Sequence, residues 1–288
     1  MDAITGITGK VGGHVARTLL SAGHSVRAVV RDPAKGAVWQ GRGCDVAVAD
    51  MNDVAALTAA FTGARGVFVL LPPTFDPSPG FPEARTTVAA IRRALDVARP
   101  ERVVCLSTIG AQATRTNLLT QLAMLEASLG ALPMPITFLR PAWFMENASW
   151  DVASARETGV IASFLQPLDR PVPMVATADV GRVAAELLQE RWTGRRVVEL
   201  EGPARVTPNE IAATFAEILG HPVRAEVVPR GTWEQLFASQ GMAHPGPRID
   251  MLDGFNQGWI DFEQGEAGRR TGRVRLKDVL EELAGRET

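Results

Sequence analysis

The chain has 288 residues, 46% hydrophobic and 22% charged, with a formal net charge of −2 and a pI near 6.1. This is an ordinary globular composition, long enough for a full core and a second lobe, with no basic stripe or tail to attract nucleic acid. No uncharged apolar run is long enough to span a bilayer, and a glycine turn close to the N-terminus leaves no room for a signal peptide, so the cytoplasm is the expected compartment.

In chain order, Ala3-Ile4 is a very short apolar strand that runs into Thr5-Gly6-Ile7-Thr8-Gly9-Lys10-Val11-Gly12. Val15-Ala16-Arg17-Thr18-Leu19-Leu20 then carries apolar residues at helical spacing and closes at Ala22-Gly23. Strand, glycine turn and helix in that order suit a phosphate-binding turn. One glycine permits the bend, a second admits a pyrophosphate to the backbone, and a third lets the helix lie close to the strand. Free N–H groups and the positive end of the helix dipole then hold the phosphates. The spacing is Gly-x-x-Gly-x-x-Gly (6, 9, 12), not the Gly-x-Gly-x-x-Gly of ordinary dehydrogenases.

Ser25-Val26-Arg27-Ala28-Val29-Val30 reads as a second strand ending at Arg31-Asp32-Pro33-Ala34-Lys35. An acid at this strand end holds the ribose 2′-hydroxyl of NAD, whereas an arginine accepts a 2′-phosphate. Arg31 follows the last apolar residue directly, which favours NADPH, with Lys35 at the same adenosine end and Asp32 next to Arg31. Asp45 to Ala49 is a third strand ending at Asp50-Met51, with Asp50 placed for the adenine amino group and Met51 for its ring. Asn52 is expected to cap a helix over 53–62 that stops at Gly63.

Gly66 to Leu71 is continuously apolar, as a central parallel strand should be, and Pro72-Pro73 stops it in a stiff proline loop over 72–82. A helix over 83–98 follows. Arg102 to Thr108 is a fifth strand that brings the Ser107 and Thr108 hydroxyls to the ligand edge, and a helix is expected over 117–129. Ile136-Thr137-Phe138-Leu139 is a sixth strand, ending Arg140-Pro141-Ala142-Trp143-Phe144-Met145-Glu146-Asn147. Strand alternating with helix to this point specifies a Rossmann-type doubly wound parallel sheet.

Later segments are mixed. Val172 to Val175 is a short strand, Thr177 is expected to cap a helix over 179–190, and Val197 to Glu201 is another strand. Thr207-Pro208-Asn209-Glu210 is a capping box with proline at the first helical position, opening a helix to Leu219 that Gly220 stops. Val223 to Val228 reads as a strand and the tail as mostly helical. The expected division is a cofactor-binding core over 1–150, to which 172–202 returns. A smaller mixed α/β substrate lobe then comprises 151–171 and 203–288.

Cys44 and Cys105 sit in strand-like stretches and read as buried thiols, and no Cys/His cluster has metal-ligand spacing. The chain contains no tyrosine, and of its 30 lysine and arginine residues only Lys10, Lys35 and Lys277 are lysine.

The combination resembles the NmrA-like branch of the atypical short-chain dehydrogenase/reductases, most closely its bacterial quinone oxidoreductase-like members. The resemblance rests on Ala3-Ile4-Thr5-Gly6-Ile7-Thr8-Gly9, Val30 to Lys35, Ala49-Asp50-Met51-Asn52-Asp53, and Leu139 to Asn147. Ala178-Asp179-Val180 and Glu201-Gly202-Pro203 add to it. It implies a Rossmann fold that binds NADP(H) in preference to NAD(H). Gly6, Thr8, Gly9, Val11 and Gly12, with Lys10 in their turn, would line the pyrophosphate. Arg31 and Lys35 would meet the 2′-phosphate end, and Asp50 and Met51 the adenine. Leu70, Leu71 and Pro72 would follow the cofactor's course, with Ser107 and Pro141 further along it. Trp143, Phe144, Asn147 and Trp150 would form the substrate pocket, with an apolar wall for a flat ring.

Absence of tyrosine excludes the Tyr-x-x-x-Lys mechanism of typical short-chain dehydrogenases. The resemblance also implies a lysine four residues before a glutamate in the helix after the fifth strand. The glutamate is Glu126, but the lysine position holds Leu122. No catalytic acid is identified, and Asn147, Ser107 and His244 are weak candidates. Two functions fit. The first is an NADPH-dependent oxidoreductase passing hydride to a quinone, azo compound or enone, with a small aromatic or quinone-like substrate, no nucleic-acid or membrane partner, and a homodimer compatible with it. The second is a non-catalytic NAD(P)-binding redox sensor of the NmrA type. The tail at 238–262 separates them: a lid over the nicotinamide end favours the enzyme.

Overall fold

A computed structural model describes residues 1–285. The strands are β1 (Asp2–Ile4), β2 (Val26–Val30), β3 (Asp45–Val48), β4 (Gly66–Leu70), β5 (Arg102–Leu106), β6 (Ile136–Pro141), β7 (Trp143–Phe144), β8 (Val160–Ser163), β9 (Met174–Val175), β10 (Arg195–Glu201), β11 (Arg224–Val227) and β12 (Arg270–Thr271). The helices are α1 (Lys10–Ser21), α2 (Pro33–Gln40), α3 (Val54–Phe61), α4 (Pro82–Ala98), α5 (Thr120–Leu129), α6 (Val152–Thr158), α7 (Thr177–Gln189), α8 (Pro208–Leu219), α9 (Trp233–Ser239), α10 (Gly246–Gln257) and α11 (Leu276–Gly285).

Eight strands form one sheet in the order β12-β10-β6-β5-β4-β1-β2-β3, parallel at every pairing. The strand order reverses between β1 and β4. That reversal opens a crevice at the carboxyl ends of the strands, where such sheets bind ligands. Side chains alternate between the two faces, as the two-residue strand period requires. Ile4, Phe68, Val104 and Leu139 pack with Val15, Leu19, Val183 and Leu187 of α1 and α7. Ala3, Val67, Val103 and Cys105 pack with Phe61, Ile91, Leu95 and Leu125 of α3, α4 and α5. Cys44 and Cys105 are both buried free thiols.

A third buried cluster, in which Phe215, Trp233 and Phe237 are fully buried beside Ile161, Leu252 and Phe255, also takes in Ile109, Leu118, Met145 and Met174. The parallel pair β8–β11 stands apart from the main sheet. Strand β10 joins the main sheet and α7 packs on α1, whereas β9 pairs with β7 outside that sheet. The sheet also takes in β12 from the tail, where a mostly helical reading placed no strand. Two residues have no periodicity to read, and β12 exists because β10 offers it an edge. Residues 286–288 of the expected lobe lie outside the described residues.

Several helix starts differ from the sequence reading. Helix α2 begins directly after β2: Asp32 accepts a bond from the Ala34 N–H at 2.9 Å and Pro33 takes the first turn. The N-cap of α3 is Asp53 rather than Asn52, bonded to the Ala56 N–H at 3.0 Å, while Asn52 accepts from the Thr87 hydroxyl at 2.6 Å. Thr177 is the first residue of α7, not its cap, and its N–H and hydroxyl both donate to Glu146. Helix α5 starts at Thr120 because Asn117 closes a turn on the Leu119 N–H at 2.8 Å. The capping box at Thr207 and Glu210 forms in both directions, at 3.0 and 2.7 Å.

Candidate active site

The glycine turn leaves β1 with Thr5 bonded to the Phe68 carbonyl through both its N–H (3.0 Å) and its hydroxyl (3.1 Å). Gly6 then bends the chain at φ +60° against Leu70, where a Cβ would come within 2.5 Å of Leu70 Cδ2. A Cβ on Gly12 would lie 2.3 Å from the Gly6 carbonyl oxygen, so this glycine lets α1 lie on the turn. A Cβ on Gly9 would meet only that same oxygen, at 3.3 Å, and otherwise open space. Gly9 is the N-cap of α1 and makes no side-chain cap bond, and Thr8, Gly9 and Lys10 are exposed. The start of α1 is therefore exposed at Gly9 and Lys10 with no side chain capping it, an arrangement suited to receive a phosphate.

From the turn, a cavity of about 530 Å³ extends over the ends of β2 and β3. Of the expected cofactor residues, Gly6, Thr8, Arg31, Lys35, Asp50, Met51, Leu71 and Pro72 line it. The Arg31 and Lys35 side chains make no hydrogen bond or ion pair among the described residues. Neighbouring Asp32 lines the cavity too, but its carboxylate already accepts the α2 cap bond. Asp50 accepts from the Asn52 N–H at 2.9 Å, which holds the loop after β3 in shape. On the opposite wall stands Thr74 of the proline loop, which the sequence reading took as a candidate cofactor wall, together with Asn52, Glu83, Ala84, Thr86 and Thr87, which it missed. Its signal was the start of α4 directly after the proline loop, since every helix of such a sheet begins at the ligand edge.

Gly9, Lys10, Val11, Gly12, Leu70, Ser107 and Pro141 lie outside that cavity. Leu70 packs on Gly6, and Val11 and Gly12 are buried under the turn. Ser107, buried at the end of β5, donates to Glu126 at 2.5 Å. Glu126 in turn accepts from Arg140 at 2.8 and 2.6 Å. Arg140 is 5% exposed and also reaches Glu263 at 2.9 Å. Burial alone would lower the Arg140 pKa, and the Glu126 and Glu263 carboxylates outweigh it, so the net shift is upward. Thus the glutamate that the sequence comparison left without its lysine has an arginine partner from β6 instead.

The expected substrate residues are not all together. Trp143 meets Phe255 of α10 edge-on, with ring centroids 5.2 Å apart. Phe144 pairs through β7 with β9 and packs toward the α1–α7 layer. Asn147 is half-buried, and Trp150 is 65% exposed, so it forms no part of an enclosed wall. Asp151 beside it is buried enough to push its carboxyl up to about 6. His244 stands at the proline loop, where Asp76 accepts from the Ala243 and His244 N–H groups at 2.7 and 2.6 Å. Those bonds, the Ala243 one foremost, hold the Asp76 carboxyl below its usual range.

The tail covers the carboxyl ends of β5 and β6. Ile260 lies on Gly110, where an added Cβ would be 2.7 Å from Ile260 Cγ2, and Gln112 donates to the Asp261 carbonyl at 2.8 Å. Further along, Asp179, 2% exposed, accepts from the Arg273 and Val274 N–H groups at 2.7 and 2.8 Å. Among the described residues, no cluster of three or more His, Cys, Asp or Glu could hold a metal ion, and no helix is long and apolar enough to cross a membrane.

The NmrA-like family model matches residues 3–245. The NAD(P)H azoreductase of Xenophilus azovorans is 28% identical over 259 residues, covering 89% of this chain and 85% of that protein. Quinone oxidoreductase 2 of Escherichia coli strain K12 is 27% identical over 254 residues, covering 88% and 85%. The crystal structure of an Escherichia coli NADPH-dependent quinone oxidoreductase complexed with NADPH superposes with a TM-score of 0.82 at 24% identity, covering 98% of this chain and 99% of that one. This chain belongs to the NmrA-like family.

Proposed function

We propose that this NmrA-like protein is an NADPH-dependent oxidoreductase that passes hydride to a quinone or a similarly electron-poor acceptor, such as an azo compound or an enone. The observation that carries the cofactor half is the pair of cations, Arg31 and Lys35, that make no hydrogen bond or ion pair among the described residues and line a cavity reaching Gly6 and Thr8, just ahead of an uncapped helix start. Asp32, the acid that would favour a ribose hydroxyl, has its Oδ1 engaged in capping α2. The acceptor half draws on the relatives named above, which match across most of the chain.

On this reading Gly6, Thr8, Gly9, Lys10, Val11 and Gly12 hold the pyrophosphate, Arg31 and Lys35 the 2′-phosphate, and Asp50 and Met51 the adenine. Leu70, Leu71, Pro72, Ser107 and Pro141 then guide the cofactor toward the ends of β5 and β6. The bound cofactor supplies the hydride. The chain supplies position, through Trp143, Phe144 and Asn147, and exclusion of water, through the tail. It offers no tyrosine. A quinone suits that site, because its reduced oxygen is a delocalised phenolate that can wait for a proton from water, whereas the alkoxide of a simple ketone needs one during transfer. The tail over β5 and β6 favours this reading over a cofactor sensor. The same reading sets the protein in the cytoplasm, working on small molecules.

The test is NADPH oxidation across a panel of quinones and azo dyes, followed by cofactor fluorescence and corrected for the uncatalysed reaction. A blue shift on adding protein, then saturable protein-dependent decay, is the expected result. A shift with no faster decay with any acceptor would overturn the reductase in favour of the sensor.

A further inference from the structure

The segment from Asp261 to Gln264 is short and irregular, and it is held in place by polar bonds from three separate strand ends. Gln112, in the loop after β5, donates to the Asp261 carbonyl at 2.8 Å. Arg140, in β6, bonds Gln112 Oε1 at 3.2 Å and Glu263 Oε2 at 2.9 Å. Glu199, in β10, accepts from the Glu263 N–H at 2.7 Å and the Gln264 N–H at 2.9 Å. Glu199 is fully buried, and these two amides are the hydrogen bonds its side chain makes among the described residues. If the segment lifted, Glu199 would remain a buried carboxylate without a partner, which is costly. The strap is therefore built to stay down, over the ends of β5 and β6.

Those strand ends lie on the far side of β1 from the adenosine cavity, so they face the acceptor end of the cleft. We propose that the Asp261–Gln264 strap is the wall of the acceptor site, and that Gln112 and Glu263 are positioning residues that set its height through Arg140. The strap then tunes acceptor affinity and leaves cofactor affinity alone. This rests on the reductase reading above.

The Glu263 side chain is 58% exposed, so it can be cut without opening the core. The experiment uses the full chain carrying Gln112→Met and Glu263→Ala, singly and together, with two readouts that need no turnover. Hydrogen exchange reports the amides of 261–264. Quenching of tryptophan fluorescence by anthraquinone-2-sulfonate, with no reductant present, reports acceptor affinity beside a separate NADPH titration. In the double variant, strap exchange should rise about tenfold and anthraquinone-2-sulfonate should bind about fivefold more weakly, the scale of one lost half-exposed ion pair with its hydrogen bond. NADPH binding should stay within about twofold. Unchanged exchange would overturn the tether. Faster exchange with unchanged quinone binding would overturn the wall, and so would an equal loss of quinone and NADPH affinity. A wild type that binds no quinone would overturn the function itself and the wall's role with it, while the exchange result would still decide the tether.

Discussion

Alanine at Gly12 and alanine at Gly9 are the same chemical change three residues apart, and the structure assigns them different consequences. At Gly12 the new Cβ meets the Gly6 carbonyl oxygen at 2.3 Å, its carbon at 2.6 Å and the Ile7 nitrogen at 2.9 Å. All three are backbone atoms, so no side chain can swing away. The start of α1 must move off the turn by several tenths of an ångström, at the cost of forced overpacking, about 1–3 kcal/mol. At Gly9 the Cβ meets only the Gly6 carbonyl oxygen, at 3.3 Å, a contact that a shift of a few tenths of an ångström relieves, and the backbone, at φ −91°, is open to any residue. Fold stability there should hold within about 0.5 kcal/mol, or rise slightly as the unfolded chain loses freedom. The methyl nevertheless stands where a phosphate must approach the α1 N–H groups, so NADPH affinity should fall about tenfold or more. Urea denaturation without cofactor and calorimetric NADPH titration separate the two effects. Gly12→Ala should lose both stability and affinity, Gly9→Ala affinity alone. Equal stability losses, or full NADPH affinity in Gly9→Ala, would refute this division of labour in the turn.

Three further outcomes follow from named contacts. Arg31→Ala should weaken NADPH about tenfold or more, the scale of one charge-assisted phosphate contact, while NADH changes by less than about twofold; equal losses for both cofactors would remove Arg31 from the 2′-phosphate. Asp151 titrates near 6 when folded against an ordinary 3.8. The native state therefore holds its proton longer than the unfolded one, and stability falls as pH rises from about 4 to about 6. Asp151 makes no side-chain cap bond on α6, so Asp151→Asn should stabilise the protein by about 1–3 kcal/mol at pH 8 and leave it unchanged at pH 4; an equal gain at both pH values would show that the buried charge is not responsible. Thr207→Ala breaks one arm of the capping box on α8 and should cost about 0.5–2 kcal/mol, a melting shift of a few degrees, with NADPH affinity untouched.

How far the sequence could be read depended on the range of each signal. The capping box at Thr207, the turn at Gly6 and the apolar run of β4 involve neighbours within a few residues, and they form as expected. Asp32-Pro33 was an equally local helix start, and it passed unread because the same residues suggested the end of a cofactor strand. Thr177 shows the opposite case. A threonine ahead of a helical run looks like a cap, yet the donors at the start of α7 are satisfied by Glu146, 31 residues away in the chain. Likewise, the part of the cavity wall contributed by Glu83, Thr86 and Thr87 carries no motif, since those residues share only a place at the sheet's edge.

Composition, strand and helix periods and the glycine spacing were enough to determine a parallel α/β sheet, the glycine turn that joins β1 to α1 and the absence of a tyrosine acid. These properties belong to single residues or short windows, where backbone sterics and side-chain alternation act without regard to the rest of the molecule. Tertiary structure alone decided that Glu126 is paired with Arg140, that Glu199 holds the tail by its backbone, and that Trp143 meets Phe255 while Trp150 stands in water. These pairs join separate elements of the fold: 14 residues and a helix end separate Glu126 from Arg140, and 64 residues separate Glu199 from the Glu263 N–H it accepts. A buried charge has no preferred partner until folding removes water from it, and which partner then lies within reach is set by the packing of the whole sheet.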